Sequence, residues 1–187
     1  AGWRPGEDLG TIDLSELKAG INRNSLSAGD CYKTFKAMGV AYGPSHQGLK
    51  EIYTGDNEVL AKLRLPATVT ETKDQFSLHP SLMDSALQAT IGIDISGQSQ
   101  DHASGVKVSK PFLPFALDSL ELIAPCTETM WAWVRTNGNH GTDAGTTANI
   151  RKLDIDLCDE EGNVSVRMRG FTSRALEAGV FKEPGAM

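Results

Sequence analysis

Apolar positions along this chain change their period as it proceeds. Between residues 27 and 39 they recur at helical spacing, with Tyr32, Phe35 and Met38 on one face. Ser27 suits an N-cap, Asp30 follows three residues on, and Gly39 suits the stop, so a short amphipathic helix is expected. After Gly43-Pro44 the period becomes two. Val59, Ala61, Leu63 and Leu65 alternate with Leu60, Lys62 and Arg64, which predicts a half-buried strand. The turn Thr54-Gly55-Asp56-Asn57 pairs it with a preceding strand around Leu49 to Tyr53. Four more strands are expected, at about 115–124, 129–137, 149–158 and 163–173. In the third of these Leu153, Ile155 and Leu157 alternate with Asp154, Asp156 and Cys158; in the fourth Val164, Val166 and Met168 alternate with Ser165, Arg167 and Arg169. Asn137-Gly138 and Glu161-Gly162-Asn163 are suited to antiparallel hairpins.

One stretch breaks this strand pattern. From Pro80, a residue favoured at the first helical position, the chain runs through Leu82, Met83, Ala86, Leu87, Ala89, Ile91 and Ile93 with apolar residues on nearly every side. Such a helix is expected to be buried all round. Into it the sequence places one carboxylate, Asp84, and one amide, Gln88, four apart and therefore on one face. An ionised carboxylate in a core is costly unless paired or protonated, so Asp84 is either a satisfied structural residue or a tuned acid or base.

The remainder organises around these elements. Residues 1–26 are rich in Gly and polar residues, anchored only by Ile12, Leu14, Leu17 and Ile21, and read as a linker or wrapping segment. Residues 66–78 and 96–110 read as loops, 27–176 as one domain, and 177–187 as a loose tail. At 187 residues, 40% apolar and 22% charged, the chain has the make-up of an ordinary single soluble domain. A net charge of -6 argues against nucleic acid. No apolar run is long enough to span a membrane. Cys31, Cys126 and Cys158, an odd number without metal-ligand spacing, read as reduced thiols of a cytoplasmic protein.

His79-Pro80-Ser81-Leu82-Met83-Asp84-Ser85-Ala86-Leu87-Gln88 resembles the HPxLxDxxxQ/H motif of the second half of dehydratase domains in modular polyketide synthases. Tyr42-Gly43-Pro44-Ser45-His46-Gln47-Gly48-Leu49 resembles the same family's YGPxxxGL, and Leu113-Pro114-Phe115 its LPF. The three occur in the expected order, and the resemblance covers roughly residues 30–175. His46, where many relatives have Phe, is most similar to the bacterial trans-acyltransferase assembly lines. The resemblance implies an α+β hot dog fold, an antiparallel sheet wrapped around a central helix, as the second half of a double hot dog. One helix in an otherwise antiparallel sheet is compatible with that layout.

For function, the resemblance implies syn elimination of water from a 3-hydroxyacyl thioester carried on the phosphopantetheine of an acyl carrier protein, with no cofactor of the chain's own and no metal. Asp84 would be the acid and Gln88 would hold its carboxyl and help orient the substrate hydroxyl. An Asp in the first helical turn feels the helix dipole, which favours its charged form, while burial favours the protonated one. Tyr42 is either a contact to Asp84 or substrate or a packed turn residue. His46 either lines the pocket or is a hydrogen-bonded structural imidazole. Gly43 and Pro44 are expected to shape the turn, His79 to fix the helix entrance, and Leu113, Pro114 and Phe115 to form pocket wall or packing between halves. Arg167, Arg169 and Arg174 form either a solvated charged face or a contact to the carrier protein.

One departure matters. The family's base is a His in an HxxxGxxxxP motif, and none of His46, His79, His102 and His140 is followed by Gly four residues on. The expectation is therefore a C-terminal half whose base lies in an N-terminal half outside this chain, inactive alone. The alternatives are a double-bond-shifting or pyran-forming relative, which the retained Asp84 disfavours, and a non-catalytic docking or homodimerising module, since half a domain exposes a sheet edge and an apolar face.

Overall fold

The fold is known from a computed structural model that describes residues 10–21, 24–96, 111–136 and 150–175. Among these residues the elements are helices α1 (Leu14–Ile21), α2 (Ala28–Ala37), α3 (Pro80–Gln88) and α4 (Ile91–Ser96), and strands β1 (Asn24–Ser27), β2 (Leu49–Thr54), β3 (Glu58–Arg64), β4 (Phe112–Ala116), β5 (Ser119–Leu122), β6 (Thr129–Thr136), β7 (Ile150–Cys158) and β8 (Val164–Ala175). Short 3-10 segments occupy Pro44–His46 and Ala67–Gln75, so the 66–78 connection is wound rather than open. The strands form one antiparallel sheet in the order β1-β2-β3-β6-β7-β8-β4, with β5 also on β8. The hot dog arrangement holds, with α3 lying in the concave face.

Period-two patterning explains the two faces. Val59, Ala61 and Leu63 of β3, Met130, Ala132 and Val134 of β6, Leu153, Ile155 and Leu157 of β7, and Val166 and Met168 of β8 form one core with Leu82, Ala86 and Ala89 of the helical layer. Burying each large side chain contributes roughly 1.5–3 kcal/mol, so this face dominates stability. The convex face is covered as well. Leu60, Trp131, Cys158 and Val164 form a second cluster with Ile21, flanked by Leu14 and Leu17. Among the described residues before Ser27, Ile21 is fully buried and β1 pairs with β2, so core and sheet already begin in a stretch whose composition suggested only a linker or wrapping segment. Leu60, on the face of β3 opposite the main core, is buried beneath that cover, as is Cys158 of β7, while Asp156 is buried between Arg135 and Arg169. Val164 joins the convex cluster because the β7–β8 register shifts between Leu157 and Cys158, which moves it to the other face.

The expected strand 115–124 is two strands. β4 pairs with β8 at Thr172 to Ala175 and β5 pairs with Arg169 back to Val166, with Gly170 and Phe171 lying between the two pairings. Gly170 has φ +64, and a Cβ there would lie 2.1 Å from Asp118 Oδ2. Glycine suits both that backbone and that close contact, and the β7–β8 register shifts beside it, between Leu153 and Ile155, within the twelve-residue β8.

α2 follows the pattern: Ser27 caps it, accepting from Asp30 N, and Met38 and Gly39 close it. The central helix departs from it in two ways. It breaks after Gln88, where Thr90 N bonds Leu87 O, a tighter i to i−3 contact, and Thr90 Oγ1 bonds the same carbonyl. It is also not buried all round. Ser81, Leu82, Ser85, Ala86 and Gln88 are buried, whereas Met83, Asp84 and Leu87 are half-buried on one side. The turn at Asn137-Gly138, the 97–110 part of the second loop, and the 177–187 tail lie outside the described residues.

Candidate active site

The open side of α3 carries the site. His79 is the N-cap, its Nδ1 accepting from Ser81 N at 3.1 Å, while its Nε2 lies 3.0 Å from Thr72 Oγ1. An imidazole that accepts at Nδ1 carries its proton on Nε2, so His79 donates to Thr72, which in turn donates to Val69 O at 2.7 Å. Burial, and then the charge of His46, push the His79 pKa down. His79 is thus a neutral clamp between the 3-10 segment and the start of α3, in keeping with its expected role.

Asp84 sits in the second turn, beyond the first turn where the helix dipole acts most strongly, contrary to expectation. Its side chain is 35% exposed. One oxygen, Oδ2, accepts from Gln88 Nε2 at 2.9 Å and lies 3.2 Å from His46 Nδ1. Gln88 Nε2 also donates to His46 O at 2.8 Å, and Gln88 Oε1 accepts from Tyr32 OH at 3.0 Å. The Tyr32 hydroxyl accepts from Leu49 N at 3.1 Å. The amide that was expected to help orient a substrate hydroxyl therefore spends both protons and its carbonyl oxygen on the protein.

Local sequence explains how these segments meet. Gly43 precedes the Pro44–His46 turn, with Pro44 at its first position, and His46 N bonds Gly43 O at 2.9 Å. Gln47 Nε2 closes the same turn on Tyr42 O. Gly48 then passes directly under α3: a Cβ there would lie 2.2 Å from Ser85 Oγ and 3.0 Å from Arg64 O. That close passage brings the His46 carbonyl within reach of Gln88.

Asp84 and Gln88 border a cavity of about 100 Å³. Tyr42, Leu113 and Pro114 line it too, together with Phe35, Met38 and Phe171. Tyr42 packs edge-on against Phe35, centroids 5.0 Å apart, and its pKa is pushed up to about 12 by burial and then by the charge of Asp84. It therefore stays a neutral hydroxyl at neutral pH. His46, 48% exposed, touches Asp84 from the solvent side rather than lining the cavity. Gly43 and Pro44 shape the turn without lining it, and Phe115, 69% exposed, points elsewhere. Arg169 and Arg167 turn to acids of their own sheet, Asp156 at 2.7 Å and Glu121 at 3.7 Å. Tyr32 was legible only as one apolar position of an amphipathic helix. The available signal was its hydroxyl, since a Tyr on a core-facing side needs a partner where a Phe does not.

The arrangement is a carboxyl group with one oxygen held by the Gln88 amide beside the His46 imidazole and the other without a hydrogen-bond partner among the described residues, bordering a largely apolar cavity. Such a carboxyl can give or take a proton at its open oxygen, and the cavity beside it suits apolar groups. Residues 11–183 match the family described as the polyketide synthase dehydratase N-terminal domain. The chain is 43% identical over 180 residues to polyketide synthase PksN of Bacillus subtilis (strain 168), a match covering 96% of this chain and 3% of PksN. A trans-AT PKS dehydratase domain from Brevibacillus brevis superposes with a TM-score of 0.78 at 44% identity, over 90% of this chain and 54% of that one. The CurK dehydratase, solved as an inactive Asp-to-Asn mutant, superposes with a TM-score of 0.73 at 27% identity over 90% and 54% of the two chains. A second CurK structure is an inactive His-to-Phe mutant. This chain belongs to the polyketide synthase dehydratase family. It spans about half the length of the dehydratase chains on which it superposes.

Proposed function

We propose that this chain is the C-terminal half of a dehydratase that removes water from a 3-hydroxyacyl thioester held on an acyl carrier protein, with Asp84 as the acid. The observation that carries this is the Asp84 carboxyl itself, held through Oδ2 by Gln88 and open at its other oxygen beside the cavity. In the elimination a base takes the proton next to the thioester carbonyl, and that electron pair becomes the new C–C double bond. The hydroxyl leaves as water with the proton of Asp84. The cavity, lined by Tyr42, Phe35, Met38 and Phe171, suits the acyl chain. The substrate brings its own phosphopantetheine, so the chain is assigned no cofactor.

The base is assigned to a His of the other half, because none of the four histidines here is followed by Gly four residues on. Inactivating replacements of one Asp and one His in CurK are in keeping with such a pair. The matched family's description names an N-terminal domain; assignment to the second half rests on the HPSLMDSALQ helix and on that missing motif. Exposed Leu113, Phe115, Leu120 and Leu122 on β4 and β5 provide an apolar face for the other half to cover. A cytoplasmic setting suits Cys31, Cys126 and Cys158, which are all free thiols. The other half, the carrier protein and neighbouring synthase domains are the partners this role requires.

The test is a dehydration assay on a 3-hydroxyacyl carrier protein, read by mass spectrometry as loss of water. This chain alone and a protein extended to include an HxxxGxxxxP motif are compared. Turnover only by the extended protein, abolished by Asp84→Asn, is the expected result. Turnover by the short chain sinks the assignment of the base, and activity surviving Asp84→Asn points to the isomerase alternative.

A further inference from the structure

Within the dehydratase role just proposed, one contact has no counterpart in the family motifs. We propose that Tyr32 is a positioning residue of the site: its hydroxyl holds the Gln88 amide in the one orientation that donates to Asp84. The inference rests on counting donors. Leu49 N donates to the Tyr32 oxygen at 3.1 Å, which directs the hydroxyl proton along its remaining contact, to Gln88 Oε1 at 3.0 Å. With Oε1 so engaged, Nε2 faces two acceptors, His46 O at 2.8 Å and Asp84 Oδ2 at 2.9 Å. An amide flip would set Oε1 against both of those oxygens and leave the Tyr32 proton facing an NH2 group, losing every contact at once.

Tyr32 is also built to remain a donor. Burial pushes its pKa up to about 12, against a smaller opposing effect of the Leu49 N–H, so the hydroxyl keeps its proton across the working range. Its ring is fixed among Phe35 and Tyr42, at centroid distances of 6.3 and 6.2 Å. α2 thereby reaches the acid through a relay of Tyr32, Gln88 and Asp84. The consequence for the reaction is a division of labour on the carboxyl: Oδ2 is committed to Gln88, and the proton to be transferred belongs on the other oxygen. Without Tyr32 the amide loses its anchor at Oε1 and is held only through Nε2, so Asp84 is aimed less firmly while the cavity is unchanged.

The experiment uses the complete dehydratase, both halves together, on a 3-hydroxyacyl carrier protein, with Tyr32→Phe, Gln88→Ala and the double variant. Tyr32→Phe is expected to lower kcat about tenfold with KM nearly unchanged, and to lower it no further once Gln88 is Ala, because residues that act through one another are not additive. Independent, multiplicative losses, or an unchanged kcat in Tyr32→Phe, overturn the proposal. Should Tyr32→Phe fail to fold, 3,5-difluorotyrosine at position 32 keeps the ring and gives a hydroxyl that ionises at lower pH. That protein is expected to lose kcat as this hydroxyl ionises, where the unmodified enzyme does not; matching pH profiles refute the idea. Exchange protection of the Gln88 side-chain amide, followed by nitrogen-15 NMR, reads the same relay without turnover. Protection lost with the Tyr32 donor supports the relay even if the enzyme proves not to dehydrate, an outcome that would count against the proposed function alone; protection that persists overturns it.

Discussion

Two carboxylates on opposite faces of the sheet are each gripped by two partners, and they differ in what grips them. On the convex face Asp156 of β7 is 8% exposed and lies between Arg135 at 2.6 Å and Arg169 at 2.7 Å. Arg135 is in turn stacked on Trp133, 3.8 Å from the ring centroid. On the concave side Asp84 is 35% exposed, held by an uncharged amide and an imidazole, and opens on a cavity. A carboxylate enclosed by guanidiniums serves as a counter-charge and has no reason to exchange a proton, since Arg is always charged. Asp84, held on one oxygen only, keeps the other available. Two close partners each thus serve a structural pin in one place and a candidate acid in the other; the guanidiniums around the first and the cavity beside the second tell them apart.

The largest expected effect that sharpens this contrast is on turnover. In the complete dehydratase, Asp84→Asn should lower kcat by at least about 100-fold, the range for losing a general acid. Its unfolding midpoint should stay within about 0.5 kcal/mol of the parent, since the side chain is partly exposed and Asn still accepts from Gln88. Asp156→Asn should do the reverse. Removing one partner of a buried ion pair costs about 3 kcal/mol, the low end of the usual range because both guanidiniums reach solvent, and urea titration should show it while turnover per folded molecule holds. A kcat loss in Asp156→Asn without destabilisation would break the comparison.

Smaller effects test the scaffold of the concave site. Gly48→Ala forces a methyl against Ser85 and the Arg64 carbonyl and should destabilise by about 1–3 kcal/mol, measured by thermal unfolding. The smallest is a pH effect at the helix cap. His79 has a folded pKa below the ordinary value of 6.5, so the unfolded chain binds the proton more readily. The stability this contributes is present above 6.5 and is lost as pH falls from there through the folded pKa. His79→Asn retains an N-cap acceptor and should flatten that dependence in urea titrations compared at about pH 7 and about pH 5.

Much of the fold was legible before any coordinates. The period-two stretches of β3, β6 and β7 and the Ser27 cap of α2 appear where the pattern puts them, because alternation and capping are local properties of the chain. The division of 115–124 into β4 and β5 was not legible: it falls opposite Gly170 and Phe171, on a strand distant in sequence. The burial of Leu60 was hidden for a related reason, since the cover comes from α1 near the other end of the chain.

The candidate site divides in the same way. The four-residue spacing of Asp84 and Gln88 on one helix face, and the Gly43-Pro44 turn, follow from sequence, because both are set by neighbours within one turn of backbone. What the tertiary structure alone decided is which partner each polar atom takes. Tyr32 reaches Gln88 across 56 positions and His46 reaches Asp84 across 38. Hydrogen bonds are short and directional, so a residue's type says what it can donate or accept, and only the packing of α2, the Pro44–His46 turn and α3 says to whom.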